Sequence, residues 1–328
     1  LESDEASEAA AMALAKQQAD VNMVGGRSFA TIMGELNAKE SSARSQAQAR
    51  MAALFRVNPN EAKNAVDEVL HGQGDTNSKK RLIGALGSAG TPEAQHELAR
   101  LLGTEEAGDN RINAAIAMSL TKHPTEETAD ALQKAATSGE KRVGSTAILA
   151  SGNVIRSMNA DKIGDTADAL QMLINGLANA STDHEKQVYL EALGNSGDAR
   201  ALDVIMPYLS HTTVALRATA TGTLKFMMGP IPDKLLIAAM SDSEFSVRRA
   251  AVQTIPFRPI ADMLQDIDTL LRNEPEQSIR IEILKGLNMK LVEESSAIDL
   301  IEWAMENDLD AAVRSYAKQI FEHTKLDT

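Results

Sequence analysis

The sequence predicts an all-α protein whose helix pairs stack side by side into a right-handed α-α superhelix. Two observations carry this prediction: a short helical pattern recurs along the 328 residues, and the composition favours closely packed helices. Only 3% of the residues are aromatic, while Ala and Leu supply most of the 43% that are hydrophobic. A β-sandwich would need more Val, Ile, Tyr and Phe, so the composition favours helices.

The recurring pattern is a basic residue followed by a helical apolar stretch. Eight copies begin at Arg50, Arg81, Arg111, Arg142, Arg217, Arg249, Arg280 and Arg314, and a ninth starts at Gln187 with Lys186 beside it. Successive copies lie 31, 30, 31, 45, 30, 32, 31 and 34 residues apart. Because a helix pair of about 30 residues cannot bury its apolar face alone, we expect eight to nine pairs to stack around one continuous core.

Within each unit the sequence predicts two helices joined by a glycine-containing turn. Residues 85–102 match residues 192–209 at a constant offset of 107. We expect the first helix of these units to end at Gly87 or Gly194, because glycine adopts the left-handed conformation that closes a helix.

Side-chain caps predict where several helices begin. Thr91 and Asp198 are expected to cap the second helices of the two matching units. Pro92 suits the first turn of a helix, and Thr182 with Glu185 has the spacing of a capping box.

The organisation along the chain has two parts. Residues 1–40 are predicted to form a frayed helix, broken at Gly25-Gly26, and a capping helix over the first repeat. A disordered tail is the alternative for residues 1–20. Residues 41–328 are predicted to form the repeat solenoid, and residues 308–324 a half repeat that closes it.

The long interval of 45 residues predicts an insertion within residues 151–170. Insertions in repeat arrays commonly map to loops on one edge, where partners bind. Arg156 and Lys162 are therefore candidate contacts, and a tolerated surface insertion is the alternative.

The repeated turn, ALG-x-x-G-[DT], resembles that of HEAT-like repeats. The segments SDSEFSVRRAA (residues 241–251) and NDLDAAVRSYA (residues 307–317) resemble the acidic turn and Val-Arg helix start of that family. This resemblance covers roughly residues 41–323 and implies a solenoid whose second helices line the concave side. The turn is also similar, more loosely, to the helical domain of vitellogenin-type lipid-transfer proteins. Since the chain shows no β-rich segment for a lipid cavity, that resemblance implies only a helical shell.

The repeated basic residues are expected to be structural. In such a solenoid, each arginine can pair with an acidic turn residue of a neighbouring unit or with carbonyls at a helix end. The predicted ladder consists of Arg50, Arg81, Arg111, Arg142, Arg217, Arg249, Arg280 and Arg314. A functional basic strip is the alternative, which the net charge of −13 disfavours.

The candidate partner-binding residues lie on the later second helices. The carboxylates that could form an acidic stripe on the concave side are Asp233, Asp262, Asp266, Asp299 and Glu302. Trp303 beside them is a candidate anchor. The alternative is a solvated polar face.

Composition and motifs exclude several kinds of chemistry. The 46 acidic against 33 basic residues disfavour nucleic acid, and the chain has no cysteine. No histidine pattern predicts a metal, and no nucleotide-binding or nucleophile motif occurs, so no cofactor is expected. No apolar stretch is long enough to cross a membrane. The acidic residues at the start of the sequence do not fit a signal peptide. The sequence therefore does not predict a cellular compartment.

These observations predict a non-enzymatic scaffold that binds a protein or peptide partner along the concave face, where the acidic residues favour a basic one. Two alternatives stay open: a helical shell of a lipid- or lipoprotein-handling system, and a lyase-type enzyme of the kind that some HEAT-like proteins resemble. Lipid is a less favoured partner than protein.

Overall fold

The computed structural model describes residues 2–72, 74–104 and 108–326, and every regular element in these residues is a helix. The α-helices are α1 (Glu2–Val24), α2 (Phe29–Leu36), α3 (Ser41–Val57), α4 (Glu61–His71), α5 (Thr76–Ala89), α6 (Pro92–Leu102), α7 (Gly108–Ser119), α8 (Glu126–Ala136), α9 (Lys141–Asp161), α10 (Ala167–Asn179), α11 (Asp183–Ser196), α12 (Leu202–Leu209), α13 (Val214–Thr223), α14 (Pro230–Ala239), α15 (Phe245–Val252), α16 (Leu264–Asn273), α17 (Gln277–Lys290), α18 (Ala297–Asn307) and α19 (Ala311–Leu326). Short 3-10 turns follow or precede some of them, at Ala199–Ala201, Leu224–Phe226, Ile255–Phe257 and Ala261–Met263. The predicted all-α class is confirmed. The first residue of the predicted segment 1–40 and the last two of the predicted solenoid 41–328 lie outside the described residues.

The chain divides into two compact units, unit 1 (Leu1–Met172) and unit 2 (Leu173–Thr328). In unit 1 the first helices α3, α5, α7 and α9 pack on one another in succession, and so do the second helices α4, α6 and α8. In unit 2 the first helices α11, α13, α15, α17 and α19 form the equivalent row, and α16 packs on α18. Each unit therefore has the layered arrangement of stacked helix pairs that the sequence predicts.

The side-chain caps predicted from the sequence are confirmed. Thr91 Oγ1 accepts a backbone N–H of α6 at 3.2 Å, and Asp198 Oδ1 accepts one from the turn Ala199–Ala201 at 2.9 Å. Thr182 and Glu185 form a complete capping box at the start of α11. Each cap satisfies backbone donors that a helix start would otherwise leave unpaired.

The prediction that Gly87 and Gly194 end their helices is wrong. Both glycines lie inside helices, in α5 and α11. The left-handed residues that close these helices are Gly90, with φ 68°, and Gly197, with φ 61°. The ALG motif thus sits one turn before the helix end.

Gly87 and Gly194 are needed for close packing between successive first helices. A Cβ on Gly87 would lie 2.7 Å from the carbonyl oxygen of Ala117 in α7. A Cβ on Gly194 would lie 2.5 Å from the Cβ of Thr223 in α13. The motif therefore marks a point where neighbouring repeats approach closely.

The N-terminal helices pack on the first repeat of unit 1. Both α1 and α2 contact α3. Arg56 of α3 donates two hydrogen bonds, of 2.7 and 2.8 Å, to the buried Asp20 of α1. Val24, Ile32 and Leu36 belong to the hydrophobic core of the unit. The part of the N-terminal segment from Asp20 onward is thus joined to the repeats by buried contacts.

The region with the long repeat interval forms a long first helix. Helix α9 has 21 residues, whereas α5 and α11 have 14 each. It ends at Lys162, which adopts a left-handed conformation with φ 55°. Among the described residues, none of the helices combines the length and the apolar character needed to cross a bilayer.

Candidate interaction sites

A repeated arginine contact joins the repeats of unit 2, and Arg248 shows it completely. Its Nε and Nη2 donate to the carboxylate of Glu274, in the next repeat, at 2.7 and 2.9 Å. Its Nη1 donates to the backbone carbonyls of Asp242 and Ser243, in the turn before its own helix, at 3.0 Å each. One guanidinium therefore satisfies both a carboxylate and a helix-start turn.

Related contacts come from the fourth residue of three other first helices of unit 2, α13, α17 and α19. Arg217 pairs with Asp242 at 3.1 Å, and Arg280 pairs with Asp308 at 2.8 and 3.1 Å. Arg314 donates to the carbonyl of Asp308 at 2.6 Å. Each acidic residue accepts from the preceding repeat through its side chain and from its own repeat through its carbonyl, so the contacts form a continuous ladder.

The ladder is largely removed from water. The side chain of Glu274 is 0% exposed, and that of Asp308 is 3% exposed. Burial acts to raise the pKa of Asp242, but hydrogen bonds from Arg217 and from the Glu244 N–H outweigh it and hold this pKa below its usual value. The hydrogen bond to Glu274 correspondingly raises the pKa of Arg248.

Two of the predicted ladder arginines make different contacts from these. Arg249 pairs with Glu282 of α17 at 2.7 Å, because the neighbouring Arg248 occupies the ladder position. Arg50 pairs with Glu35 at 2.8 Å. In the same helix, Arg44 donates to the carbonyls of Ala38 and Lys39 at 2.9 and 2.6 Å. The ladder arginines bond to carbonyls at the same sequence spacing.

The remaining three predicted ladder arginines lie in unit 1, where the contacts vary. Arg111 is buried, donates to a carbonyl at the end of α6 at 2.8 Å and pairs with Glu140. Arg142 lies 3.3 Å from Asp109, with both side chains exposed. Arg81 is half-buried on α5. The regular ladder is therefore a feature of unit 2 among the described residues.

Four of the predicted partner-binding carboxylates lie on two second-helix segments of unit 2. Asp262 is exposed in the 3-10 turn before α16, and Asp266 is half-buried in the first turn of α16. Asp299 and Glu302 are exposed on α18. Since α16 packs on α18, we call these four residues the acidic face.

Trp303 joins the two helices of the acidic face. The guanidinium carbon of Arg272, on α16, lies 4.2 Å from the centre of the half-buried Trp303 ring. Arg272 also donates to Asp268 at 2.8 Å. A partner that uses Trp303 as an anchor would therefore contact a cation–π pair rather than a free ring.

Asp233 is occupied by a structural contact. It pairs with Arg258, whose residue surface is 1% exposed. The same guanidinium donates to the carbonyls of Leu224 and Met227, the latter at 2.7 Å. This arrangement holds the turn between α13 and α14, so Asp233 is not part of the acidic face.

Arg156 and Lys162 both lie in unit 1. Arg156 is half-buried on α9, donates to Asn153 at 3.2 Å, and has its pKa lowered by burial. Lys162 is exposed at the end of α9. The structure thus places both residues on or at the end of the long helix α9.

A groove on the first helices of unit 2 was not predicted from the sequence. Its volume is about 800 Å³. The lining residues are Glu191, Gly194, Asn195, Ala218, Thr219, Gly222, Thr223, Lys225, Phe245, Ser246, Arg249, Ala250, Gln253, Thr254 and Phe257. They belong to α11, α13, α15 and the 3-10 turns after α13 and α15. We call this feature the first-helix groove. Its only sequence signal is a run of small residues, ATATGT, in α13.

Aromatic and charged side chains meet at one end of the first-helix groove. The ring centres of Phe226 and Phe257 lie 5.6 Å apart in an edge-on arrangement. Lys225 Nζ lies 4.8 Å from the first ring centre and 5.9 Å from the second. Removal from water raises the pKa of Glu191 in the groove wall, although the positive charges of Lys225 and His184 oppose this. The described residues contain no group of three His, Asp or Glu side chains placed to hold a metal ion.

The family of the chain follows from a comparison of its sequence. Residues 26–284 match the vitellogenin TPR domain. The chain belongs to this family. The predicted likeness to vitellogenin-type proteins is confirmed, and so is the likeness to HEAT-like solenoids, because solved structures of both kinds share the fold of this vitellogenin TPR domain.

Two of the similar proteins have solved structures with TM-scores above 0.5. Lipovitellin, in a structure described as showing lipid–protein interactions, has a TM-score of 0.61 at 14% identity; the match covers 92% of this chain and 33% of that one. The karyopherin Kap121p has a TM-score of 0.53 at 16% identity, with 88% and 36% covered. This vitellogenin TPR domain therefore spans about a third of each of these proteins, and at such identities the likeness shows the fold alone.

A third similar structure is the CpcE–CpcF complex of phycocyanin lyase, with 19% identity, 83% of this chain and 91% of that chain covered, and a TM-score of 0.36. That score is too low to support an argument about function. The search of curated proteins gives no significant match.

Proposed function

We propose that this vitellogenin TPR domain is a non-enzymatic scaffold that binds a basic protein or peptide partner. The binding surface is the acidic face, which lies on the second helices that HEAT-like solenoids use to line their concave side. The observation that carries the proposal is the exposure of Asp262, Asp299 and Glu302 on the two helix segments that the Arg272–Trp303 pair joins.

The charges of the acidic face are available to a partner. The side chains of Asp262, Asp299 and Glu302 make no hydrogen bond or ion pair with another residue of the described part of the chain. The net charge of −13 adds a long-range attraction for a basic molecule. Such complementarity chiefly speeds association and selects the partner, since exposed charges add little affinity individually.

Affinity would come from the Arg272–Trp303 pair. Trp303 is half-buried and already oriented by Arg272, so little side-chain freedom is lost when a partner packs against it. Large, rigid aromatic side chains of this kind commonly dominate binding energy. Structures of Kap121p bound to the extreme C-terminus of the phosphatase Cdc14p and to Pho4p support the proposal by analogy, because a similar solenoid there holds protein segments.

Charge reversal of the acidic face tests this proposal. The variant Asp262→Lys/Asp299→Lys/Glu302→Lys serves as bait, beside the wild-type chain, for proteins from the native source. We expect at least one protein to be captured by the wild-type chain and lost with the variant. Once that protein is purified, the variant should bind it about tenfold more weakly or worse, a difference of about 1.4 kcal/mol.

The control carries the same change of net charge in unit 1. It replaces Glu40, Glu93 and Asp130, which are all exposed, with lysine. This control should capture the same proteins as the wild-type chain. If it loses the same proteins as the acidic-face variant, or if neither variant loses any, the acidic face is not the binding surface.

Lipid handling is a second candidate function, favoured by the family and by the likeness to lipovitellin. Under this proposal the helices form a shell that works with other parts of a lipid-binding assembly. Extraction of the purified chain and identification of bound lipids by mass spectrometry separate the two candidates. A stoichiometric lipid without a captured protein would favour the lipid function.

A further inference from the structure

The first-helix groove is a different surface from the acidic face, because first helices and their 3-10 turns line it. We propose that it binds an amphipathic helix of a protein partner. The apolar side of that helix packs against Phe245 and Phe257, and acidic side chains on its flanks face Lys225 and Arg249. This proposal goes beyond the function proposed above, since it concerns another surface and a partner segment of opposite charge.

The floor of the first-helix groove is recessed because α13 carries small side chains there. Ala218, Thr219 and Gly222 lie on the floor, between walls formed by α11 and α15. A Cβ placed on Gly222 would meet no atom within 4 Å. Such a trough between two helices allows another helix to approach the surface closely, as in helix-in-groove recognition.

Two exposed aromatic side chains set the length of the site. Phe245 begins α15 and is 38% exposed, and Phe257 ends the following 3-10 turn and is 49% exposed. If that stretch rises by about 1.5 Å per residue, the two rings are separated by up to about 18 Å along it. A partner helix of about three turns would span this length and place one apolar side chain near each ring.

The charges of the first-helix groove differ in sign from those of the chain as a whole. Its lining contains Lys225 and Arg249 but only one carboxylate, Glu191, in a chain of net charge −13. Removal from water also disfavours the charged form of Glu191, since its pKa is raised. Arg249 is held by Glu282 yet keeps 46% of its side chain exposed. Acidic flanks on the partner therefore complement the groove.

A lipid chain fits the first-helix groove less well than a helix does. Both end phenylalanines are partly exposed to solvent, and Asn195, Thr219 and Gln253 contribute polar groups to the lining. Sites for small apolar ligands are more enclosed and more apolar than this. An amphipathic helix instead brings polar side chains for the rim and apolar ones for the two rings.

The first step of the test is a selection that does not assume the answer. Random peptides of about 16 residues, long enough for an induced helix, are displayed on phage and selected on the whole wild-type chain. They are then counter-selected on Gly222→Leu, which fills the groove floor where there is space for a side chain. We expect the surviving peptides to have apolar residues at helical spacing and acidic flanks.

The second step measures binding of the best surviving peptide, synthesised with a fluorescent label, by anisotropy. Gly222→Leu and Phe257→Ala should each weaken binding at least tenfold, and replacing the acidic residues of the peptide with lysine should do the same. Gly34→Leu is the matched control, because a Cβ on Gly34 of α2 also meets no atom within 4 Å. This control and the acidic-face variant should bind as the wild-type chain does.

Three outcomes would overturn the proposal. One is that no peptide prefers the wild-type chain over Gly222→Leu. Another is that the selected peptides are basic, or lose binding with the acidic-face variant instead. The third is that palmitate displaces the peptide at lower concentration than the unlabelled peptide does, which would identify a lipid site. Capture of proteins from the native source by the acidic-face variant tests the scaffold proposal alone, so the two failures are distinguishable.

Discussion

Replacement of Glu274 by glutamine should destabilise unit 2 strongly, although the change removes only a charge. The Glu274 side chain is 0% exposed and accepts two hydrogen bonds from Arg248. It also accepts the backbone N–H of Glu276 at 3.0 Å, which holds the turn before α17. Glutamine keeps the shape and one acceptor oxygen, but it leaves the Arg248 guanidinium without its counter-charge.

The size of the effect follows from the burial of this pair. Removing one partner of a buried ion pair costs about 3–5 kcal/mol, mainly because the other charge stays buried. Since glutamine retains one hydrogen-bond acceptor, we expect a loss of about 3 kcal/mol, at the lower end of that range. Arg142 and Asp109 form the contrasting pair, with side chains 79% and 67% exposed. Arg142→Gln should therefore cost less than about 1 kcal/mol.

The assay is urea unfolding followed by tryptophan fluorescence. Trp303 is the single tryptophan of the chain and lies on α18. Helix α18 packs on α17, and Glu274 lies in the turn just before α17. The Trp303 signal therefore reports on the repeats that the substitution affects. Because repeat arrays need not unfold in one step and Arg142 lies on α9 of unit 1, amide exchange in α7, α9, α15 and α17 should be measured as well.

A second variant separates the pair from general damage to the core. Arg248→Met combined with Glu274→Leu removes both charges, and it should regain much of the stability that Glu274→Gln loses. The reasoning would be refuted if Glu274→Gln cost no more than Arg142→Gln. It would also be refuted if the double variant were less stable than Glu274→Gln.

Two other predictions test the packing and the charges of unit 2. Gly194→Ala should lower the free energy of unfolding in urea by about 1–3 kcal/mol, because the new Cβ would lie 2.5 Å from Thr223. The control Gly222→Ala, where a Cβ has open space, should be neutral or slightly stabilising. Equal effects of the two substitutions would contradict the packing argument. Because the pKa of Asp242 lies below its usual 3.8 when folded, its contribution to stability is present above that value and is lost as the pH falls through the folded pKa. Asp242→Asn should therefore lower stability at neutral pH and flatten the acid side of the stability profile, and an unchanged profile would show that the pair with Arg217 does not contribute.

Helix starts were predictable residue by residue because capping is local. The oxygens of Thr91 and Asp198 bond to N–H groups within three residues, so the sequence pattern contains the whole interaction. The role of Gly87 was not predictable in this way. The requirement for glycine at this position comes from close contact with Ala117, thirty residues later in the chain. An argument based on one helix alone placed Gly87 at a helix end instead.

In the candidate sites, too, some features were predictable from the local sequence and others depend on contacts between distant residues. Exposure of Asp299 and Glu302 followed from their place on a second helix. The engagement of Asp233 by a buried Arg258 did not, since it depends on how two turns meet. The first-helix groove depends on three helices at once, and each of them alone resembles an ordinary amphipathic helix.

By itself, the sequence determined the helical class, the repeat period and the helix starts that have side-chain caps, because these depend on interactions within one or two turns of helix. The tertiary structure decided which of two adjacent arginines, Arg248 or Arg249, joins the ladder. It also decided which small residues form packing contacts and which leave a groove. Those outcomes depend on the distance and rotation between stacked helices, which arise only when neighbouring repeats bury their apolar faces together.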